Sequence, residues 1–330
     1  MTDSTPTLTD GYARQLTYLR LSVTDVCNFR CNYCLPDGYL ADNNCNNFLS
    51  LEEIHKISQA FALCGTKKIR ITGGEPLLRK DLPQIIERCK SVEGIDTLAL
   101  TTNAYSISKH LPKLVDAGLD QINISADSLQ PENFQLITGH NKLDEVLSGL
   151  DMALERGLKK VKLNVVLMRE YNRSELSDFL DFVRQRPIVL RFIELMETGD
   201  NKAFFKKQHV SGQEIRDELE QDGWLQVLRE AHAGPALEFS HPDYAGNVGL
   251  IMPYSRNFCT NCNRLRVSSR GNLHLCLFGE EHHSLRPYIL EESPQQLAKR
   301  IQHLVSFKKA EHGLHENNPG TTRHLAMLGG

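Results

Sequence analysis

Nowhere in the 330 residues does an apolar run reach the length of a membrane span. The first fifteen residues, MTDSTPTLTDGYARQ, also lack the apolar stretch of a signal peptide. Both absences lead us to expect a cytoplasmic protein with no membrane partner. Strong charge of one sign is missing too: 38 Lys and Arg face 41 Asp and Glu, for a net charge of −3 at pH 7. Binding to nucleic acid by bulk phosphate neutralisation is therefore not expected, although a local basic pocket stays open. Low-complexity tracts and short-period repeats are absent. So is a fourth cysteine in either cysteine group. In a reducing compartment, nine cysteines suggest metal binding or catalysis rather than disulfides. Cys27, Cys31 and Cys34 form one trio, and Cys259, Cys262 and Cys276 another. A structural zinc site needs four ligands and a disulfide two, and no histidine lies within residues 27–34. Cys64 and Cys89 fall in helix-like, partly apolar segments and read as inert core. Cys45, in DNNCNN, reads as a bystander in a loop.

What is present is a rhythm. Strand-like runs at 18–24, 67–72, 96–102, 121–127, 160–168 and 189–196 alternate with helix-like runs at 50–65, 81–91, 107–118, 142–157 and 173–186. Ser50 and Glu53 fit a capping box, and Gly65 a helix stop. The alternation predicts an α/β fold: a parallel sheet with crossover helices, curled into a partial barrel of six units rather than the eight of a closed one. After about residue 230 the rhythm changes, and Pro and Gly become frequent. We therefore expect a core over 1–230 and a C-terminal region over 231–330 that carries the second cysteine trio. In such folds the site forms at the C-terminal ends of the strands. There lie CNFRCNYC after the first strand, GGEP after the second, TTN after the third, Ser125 near the end of the fourth and Met196 near that of the sixth.

Three thiolates can hold a cubane 4Fe–4S cluster and leave one iron open to a small molecule; on zinc they would need a fourth ligand or leave an open position. The spacing CxxxCxxC, with Tyr33 before the last cysteine, resembles that of the radical S-adenosylmethionine (SAM) enzymes. That resemblance implies a SAM-bound cluster on Cys27, Cys31 and Cys34, and SAM contacts from Tyr33, Gly74, Ser125 and Met196. In the second group, FCTNCNRLRVSSRGNLHLC, three cysteines again fit a cubane with an open iron. Half of a zinc ribbon is the alternative, with His274 as a fourth ligand; alternation in LHLC instead makes His274 a half-exposed strand residue.

TDVCNFRCNYCLP, TGGEPLLR, TTN, RFIELM and CNRLR, with a terminal Gly–Gly, together resemble the GTP 3′,8-cyclases of molybdenum cofactor biosynthesis, the MoaA family. The resemblance runs in order from about residue 10 to Gly330. It implies a second cluster on Cys259, Cys262 and Cys276, with its open iron at guanine. It implies GTP binding by Arg20, Arg70, Thr101, Lys162 and the run Arg264–Leu265–Arg266, with Arg20, Arg264 and Arg266 also mattering for turnover. From the residues themselves, Arg20, Lys68, Arg70, Lys162 and Arg191 are cations on strands, of the kind a triphosphate needs. The reaction implied is hydrogen removal from ribose C3′ of GTP by a 5′-deoxyadenosyl radical, then attack of C3′ on guanine C8. A cyclic pyranopterin monophosphate synthase (MoaC) as next enzyme, a flavodoxin or ferredoxin as electron donor, a homodimer and a terminal Gly–Gly that reaches into the cavity follow from the same resemblance. The family often has glycine after TTN where this chain has Ala104, which puts the turn's φ angle in question. A peptide-modifying radical SAM enzyme, or a non-catalytic metal-binding module, are the competing readings.

Overall fold

Tyr18–Ser22 (β1), Lys68–Thr72 (β2), Thr97–Thr102 (β3), Gln121–Ser125 (β4), Lys160–Leu167 (β5) and Val189–Glu194 (β6) are the six expected strands, each parallel to the next. The structure, a computed structural model, describes residues 7–40, 47–228 and 233–329. Cys45 and Gly330 lie outside the described residues. The strands are mostly buried along their length, as sheets covered by crossover helices are. The covering helices are Leu51–Leu63 (α1), Leu82–Lys90 (α2), Ile107–Asp116 (α3), Pro131–Thr138 (α4), Leu143–Glu155 (α5) and Leu176–Arg184 (α6). Helix α1 begins at the expected capping box. The Ser50 side chain accepts the Glu53 N–H, and the Glu53 carboxylate accepts the Ser50 N–H at 2.8 Å. Helix α4 is an addition that the alternation did not suggest, although Pro131 at its start and left-handed Gly139 at its end are ordinary helix boundary residues.

Past β6 come Lys202–Gln208 (α7), Gly212–Gln221 (α8), Leu225–Gln226 (β7), Leu237–Ser240 (β8), Asn247–Ile251 (β9), Arg264–Val267 (β10), Asn272–His274 (β11), His283–Ser284 (β12), Arg286–Glu291 (α9) and Pro294–Val305 (α10). The described strands form one sheet in the order β12-β11-β10-β1-β2-β3-β4-β5-β6-β9-β8-β7. Strand β9 runs parallel to β6, and β10 parallel to β1, so the parallel array gains one strand at each edge. The antiparallel strands β8–β7 and β11–β12 flank them. The change of rhythm near residue 230 thus marks a change of connection within a continuous sheet. Helices continue beyond that point: α10 opens on a Ser293/Gln296 capping box.

Cys64 and Cys89 are fully buried, and the Cys64 thiol donates to the Ala298 carbonyl of α10 at 3.5 Å. They are core residues, as expected. Among the described residues no helix is long and apolar enough to cross a membrane. Helices α3 and α5 touch so closely that a Cβ on Gly149 would lie 2.0 Å from the Ile107 side chain. Gly149→Ala should therefore overpack this contact and destabilise the fold by about 1–3 kcal/mol, seen as a lower Tm by calorimetry.

Candidate active site

The site begins where two loops are sewn together. The loop after β1 carries the first cysteine trio, and the turn after β2 is Gly73–Pro76. The Gly74 N–H donates to the Thr24 carbonyl at 2.8 Å, and the Glu75 N–H to that of Val26 at 2.7 Å. A Cβ on Gly74 would stand 2.3 Å from the Val26 oxygen, so only glycine permits this approach. Glu75 is buried and accepts from the Leu77 N–H at 2.9 Å, the Asn103 N–H at 2.6 Å and the Thr102 hydroxyl at 2.7 Å. It thereby ties GGEP to TTN. Ala104, after TTN, takes φ +58 and is buried, so the turn keeps the left-handed conformation with alanine in glycine's usual place.

Cys27, Cys31 and Cys34 line one cavity with Tyr33, Gly74, Ser125 and Met196. The Tyr33 hydroxyl donates to Asp127 at 2.9 Å, and the other Asp127 oxygen accepts the Val166 N–H at 2.8 Å. Burial pushes the Cys27 thiol up to about 11 and the Cys34 thiol to about 12. No lysine or arginine lines this cavity among the described residues, so these thiols stay protonated until a metal binds.

A second cavity, about 1040 Å³ including its open mouth, is lined by Cys259, Cys262 and Cys276. Its wall also carries Arg20, Lys68, Arg70, Lys162, Arg191, Arg264 and Arg266. Strand geometry puts them there. Inward positions repeat every second residue, and β10 pairs with β1 so that Arg264 stands opposite Tyr18 and Arg266 opposite Arg20. Leu265 points the other way, into the core. Thr101 lines the first cavity, and its hydroxyl accepts from Arg70 at 3.2 Å. Glu238 lies 3.2 Å from Arg191 and offsets part of the charge. Burial, then the Arg70 and Arg191 charges, lower Lys68 to about 8 despite the pull of Tyr18. Burial and the Arg191, Arg70 and Lys68 charges likewise push Lys162 down. For Tyr18 burial acts upward, but Arg70, Arg20 and Lys68 outweigh it and hold the phenol at about 7. The same contest holds Cys262 at about 7: burial raises it, while Arg264, Lys308 and Arg14 lower it further.

Asn164, Ile193 and Met196 line both cavities, so the two trios face adjoining spaces with a common wall. The chain's end closes in on them. Gly329 lines the first cavity, and its carbonyl accepts from Arg20 and, at 3.0 Å, from Arg266. At φ +61, with a Cβ position 2.2 Å from the Thr72 hydroxyl, residue 329 has room for glycine alone.

The sequence from 21 to 183 matches the Radical SAM superfamily, and 188–314 matches Molybdenum Cofactor Synthesis C. Over 324 residues, 98% of this chain and 95% of the relative, it is 52% identical to the GTP 3′,8-cyclase of Haemophilus ducreyi. The chain belongs to the GTP 3′,8-cyclase family of radical SAM enzymes. Among solved structures, Streptococcus suis SuiB bound to precursor peptide SuiA is similar with a TM-score of 0.59 at 16% identity, covering 96% of this chain and 77% of that chain. SuiB bound to S-adenosylmethionine gives 0.58 at 15% identity, with the same 96% and 77% coverage. At such identities the likeness shows the fold alone.

A radical SAM cyclase uses a 4Fe–4S cluster and SAM, and the residues present fit both. Each trio offers thiols, the donors clusters take. Among the described residues no three His, Cys, Asp or Glu side chains are grouped as one shared metal ion would need. His312, on the wall of the second cavity, has both ring nitrogens engaged: Nδ1 accepts the Leu314 N–H at 3.3 Å, and Nε2 meets the Pro253 carbonyl at 2.9 Å. His274 stacks on His282, ends β11 two residues short of Cys276, and is half-buried. Neither is poised as a fourth ligand. The sequence reading passed over Tyr18, Glu75, Asn123, Asp127 and Asn164. Tyr18, Asn123 and Asn164 sit two residues from Arg20, Ser125 and Lys162, so strand alternation alone could have found them.

Replacing Gly74 by alanine should push the cysteine loop away from the β2 turn. Iron and sulfide retained after anaerobic reconstitution should fall, whereas a truly indifferent turn would leave the metal content unchanged.

Proposed function

We propose that this protein is a radical SAM GTP 3′,8-cyclase that makes 3′,8-cyclo-7,8-dihydroguanosine 5′-triphosphate, the first step of molybdenum cofactor biosynthesis. The observation that carries the reading is the pair of adjoining cavities, one with a cysteine trio and glycine turns, the other with a second trio and a basic wall. Cys27, Cys31 and Cys34 would hold the first cluster; Tyr33, Gly74, Ser125 and Met196 would hold SAM. Cys259, Cys262 and Cys276 would hold a second 4Fe–4S cluster facing guanine. Arg20, Arg70, Thr101, Lys162, Arg264 and Arg266 would bind GTP; Leu265, whose side chain faces the core, would serve by setting Arg264 and Arg266 on one face of β10.

When bound, the first cluster and SAM supply the 5′-deoxyadenosyl radical that takes the ribose hydrogen from C3′. The new bond then forms within GTP, between C3′ and guanine C8. One electron and one proton complete the dihydropurine. The chain's own part is to hold the nucleotide and exclude water. The arginines grip phosphate oxygens in pairs, which fixes the sugar relative to the shared wall at Asn164 and Met196. Arg20, Arg264 and Arg266 are the candidates for turnover as well as binding. Glu75 and Asp127 position others: Glu75 holds the two turns together, and Asp127 sets the Tyr33 ring.

The sharp edge of the second trio's role is substrate choice. The number of cations that line the second cavity suits a triphosphate, which favours GTP over a peptide. The same reading takes 231–330 as the region serving that cluster, and carries a cyclic pyranopterin monophosphate synthase as the next enzyme, a flavodoxin or ferredoxin as electron donor, a homodimer and a cytoplasmic setting.

The test is anaerobic reconstitution with iron and sulfide, then SAM, GTP and a strong reductant. Cyclised GTP together with 5′-deoxyadenosine is expected; 5′-deoxyadenosine without cyclised GTP would make the substrate assignment wrong. Cys259→Ser should abolish cyclisation. Nucleotide binding should also take up protons. The triphosphate's charge raises the pKa of Tyr18 from about 7, of Lys68 from about 8 and of Lys162 from its lowered value. Affinity should therefore weaken as pH rises through about 7 to 8, by up to about tenfold per pH unit for each group. Calorimetry in two buffers of different ionisation enthalpy would show the uptake; equal apparent enthalpies would refute it.

A further inference from the structure

The wall of the second cavity is rich in hydrogen-bond donors. Its arginines and lysines can only donate. Asn123 is different. It is 3% exposed, lines the same cavity, and its buried Oδ1 has no hydrogen-bond partner among the described residues. The surrounding cations favour the oxygen rather than the NH₂ facing inward. A buried amide oxygen left unpaired is costly, so a native structure that keeps one has a use for it.

Its place in the sheet says which donor it awaits. Asn123 stands between Thr101 on β3 and Lys162 on β5 in paired register. Ser125, two residues further along the same face of β4, lines the first cavity, about 7 Å away along the strand. Asn123 thus sits one step below the boundary between the cavities. That boundary is where ribose C3′ must lie to be reached from the SAM side. Guanine belongs toward the second trio, beside β10, which three strands separate from β4. The donors of GTP that fall near Asn123 are then the ribose hydroxyls.

We propose that Asn123 is a substrate-positioning residue that accepts a hydrogen bond from a ribose hydroxyl and so distinguishes ribonucleotide from deoxyribonucleotide. This rests on the cyclase reading above. The bond holds the sugar against β4, so that the hydrogen on C3′ faces the first cavity. A deoxy analogue lacking that hydroxyl leaves Oδ1 buried and unpaired, which is the strongest form of discrimination a polar site can offer.

Equilibrium binding to the reconstituted enzyme with SAM tests this, using GTP, 2′-deoxyGTP, 3′-deoxyGTP and ITP. The wild type should prefer GTP over at least one deoxy analogue by roughly ten- to a hundredfold. Asn123→Ala should lose that preference and keep its preference between GTP and ITP. Asn123→Ser, which retains a hydroxyl acceptor, should restore part of it. The ratio of 5′-deoxyadenosine to cyclised product should rise in Asn123→Ala, because a loosely held sugar wastes radical. An Asn123→Ala protein that binds GTP and discriminates as before overturns the inference. So does loss of the ITP preference instead, which would make Asn123 a reader of the base. A wild type that does not bind GTP overturns the cyclase reading, and this inference with it.

Discussion

Like charge held in a confined, partly dry space is the constraint on which this structure turns. Strands β1 and β10 set Arg20 opposite Arg266, and β2, β5 and β6 bring Lys68, Arg70, Lys162 and Arg191 to the same cavity. Left alone, such a cluster repels itself and pays for lost hydration. The protein meets this with local devices. Glu238 pairs with Arg191, the Tyr18 phenol with Arg70, and the carbonyls of Leu328 and Gly329 with Arg266. Each device is a carboxylate, phenol or carbonyl oxygen whose place a polyphosphate oxygen could take. The cavity is thus held in readiness for negative charge, and the unusual pKa values of Tyr18 and Lys68 are the record of that waiting state.

The cysteine loops are positioned by bonds that do not involve the thiols. Backbone pairing of Gly74 and Glu75 with Thr24 and Val26 places the first. Arg14 places the second, donating to the Cys259 carbonyl at 3.1 Å and to the Lys309 carbonyl at 2.7 Å. Ser269, just past β10, donates to Asp25 at 2.6 Å and links the two halves. The two thiol sets differ in electrostatic setting. The first is buried away from cations and titrates high, while Cys262 is pulled to about 7 by Arg264, Lys308 and Arg14.

Much of this was legible beforehand. The six strands and their helices follow from hydrophobic period and from boundary residues such as Ser50, Glu53 and Gly65, because those signals are local. The site cysteines and glycine turns were legible as motifs. The added parallel strands β9 and β10 were not, since the hairpin strands β7 and β8 separate β9 from α8, no helix leads into β10, and each finds its place only because β6 and β1 offer open edges. Asn123 and Asn164 share a strand face with Ser125 and Lys162 and were within reach of alternation, whereas Asp127, past the end of β4, is marked only by its tertiary partners Tyr33 and Val166.

What the sequence by itself determined is the chemistry available: two trios of thiols, a set of strand-borne arginines and lysines, and the order in which they occur. Local rules suffice for that, because spacing and alternation act over a few residues. Only the tertiary structure decided that both trios open on adjoining cavities with a shared wall at Asn164, Ile193 and Met196. That outcome depends on strand β10, more than two hundred residues on, pairing beside β1, and on the chain's end folding back to Arg20 and Arg266. Contacts so distant in sequence are chosen by packing and edge pairing, and no short stretch of residues encodes them.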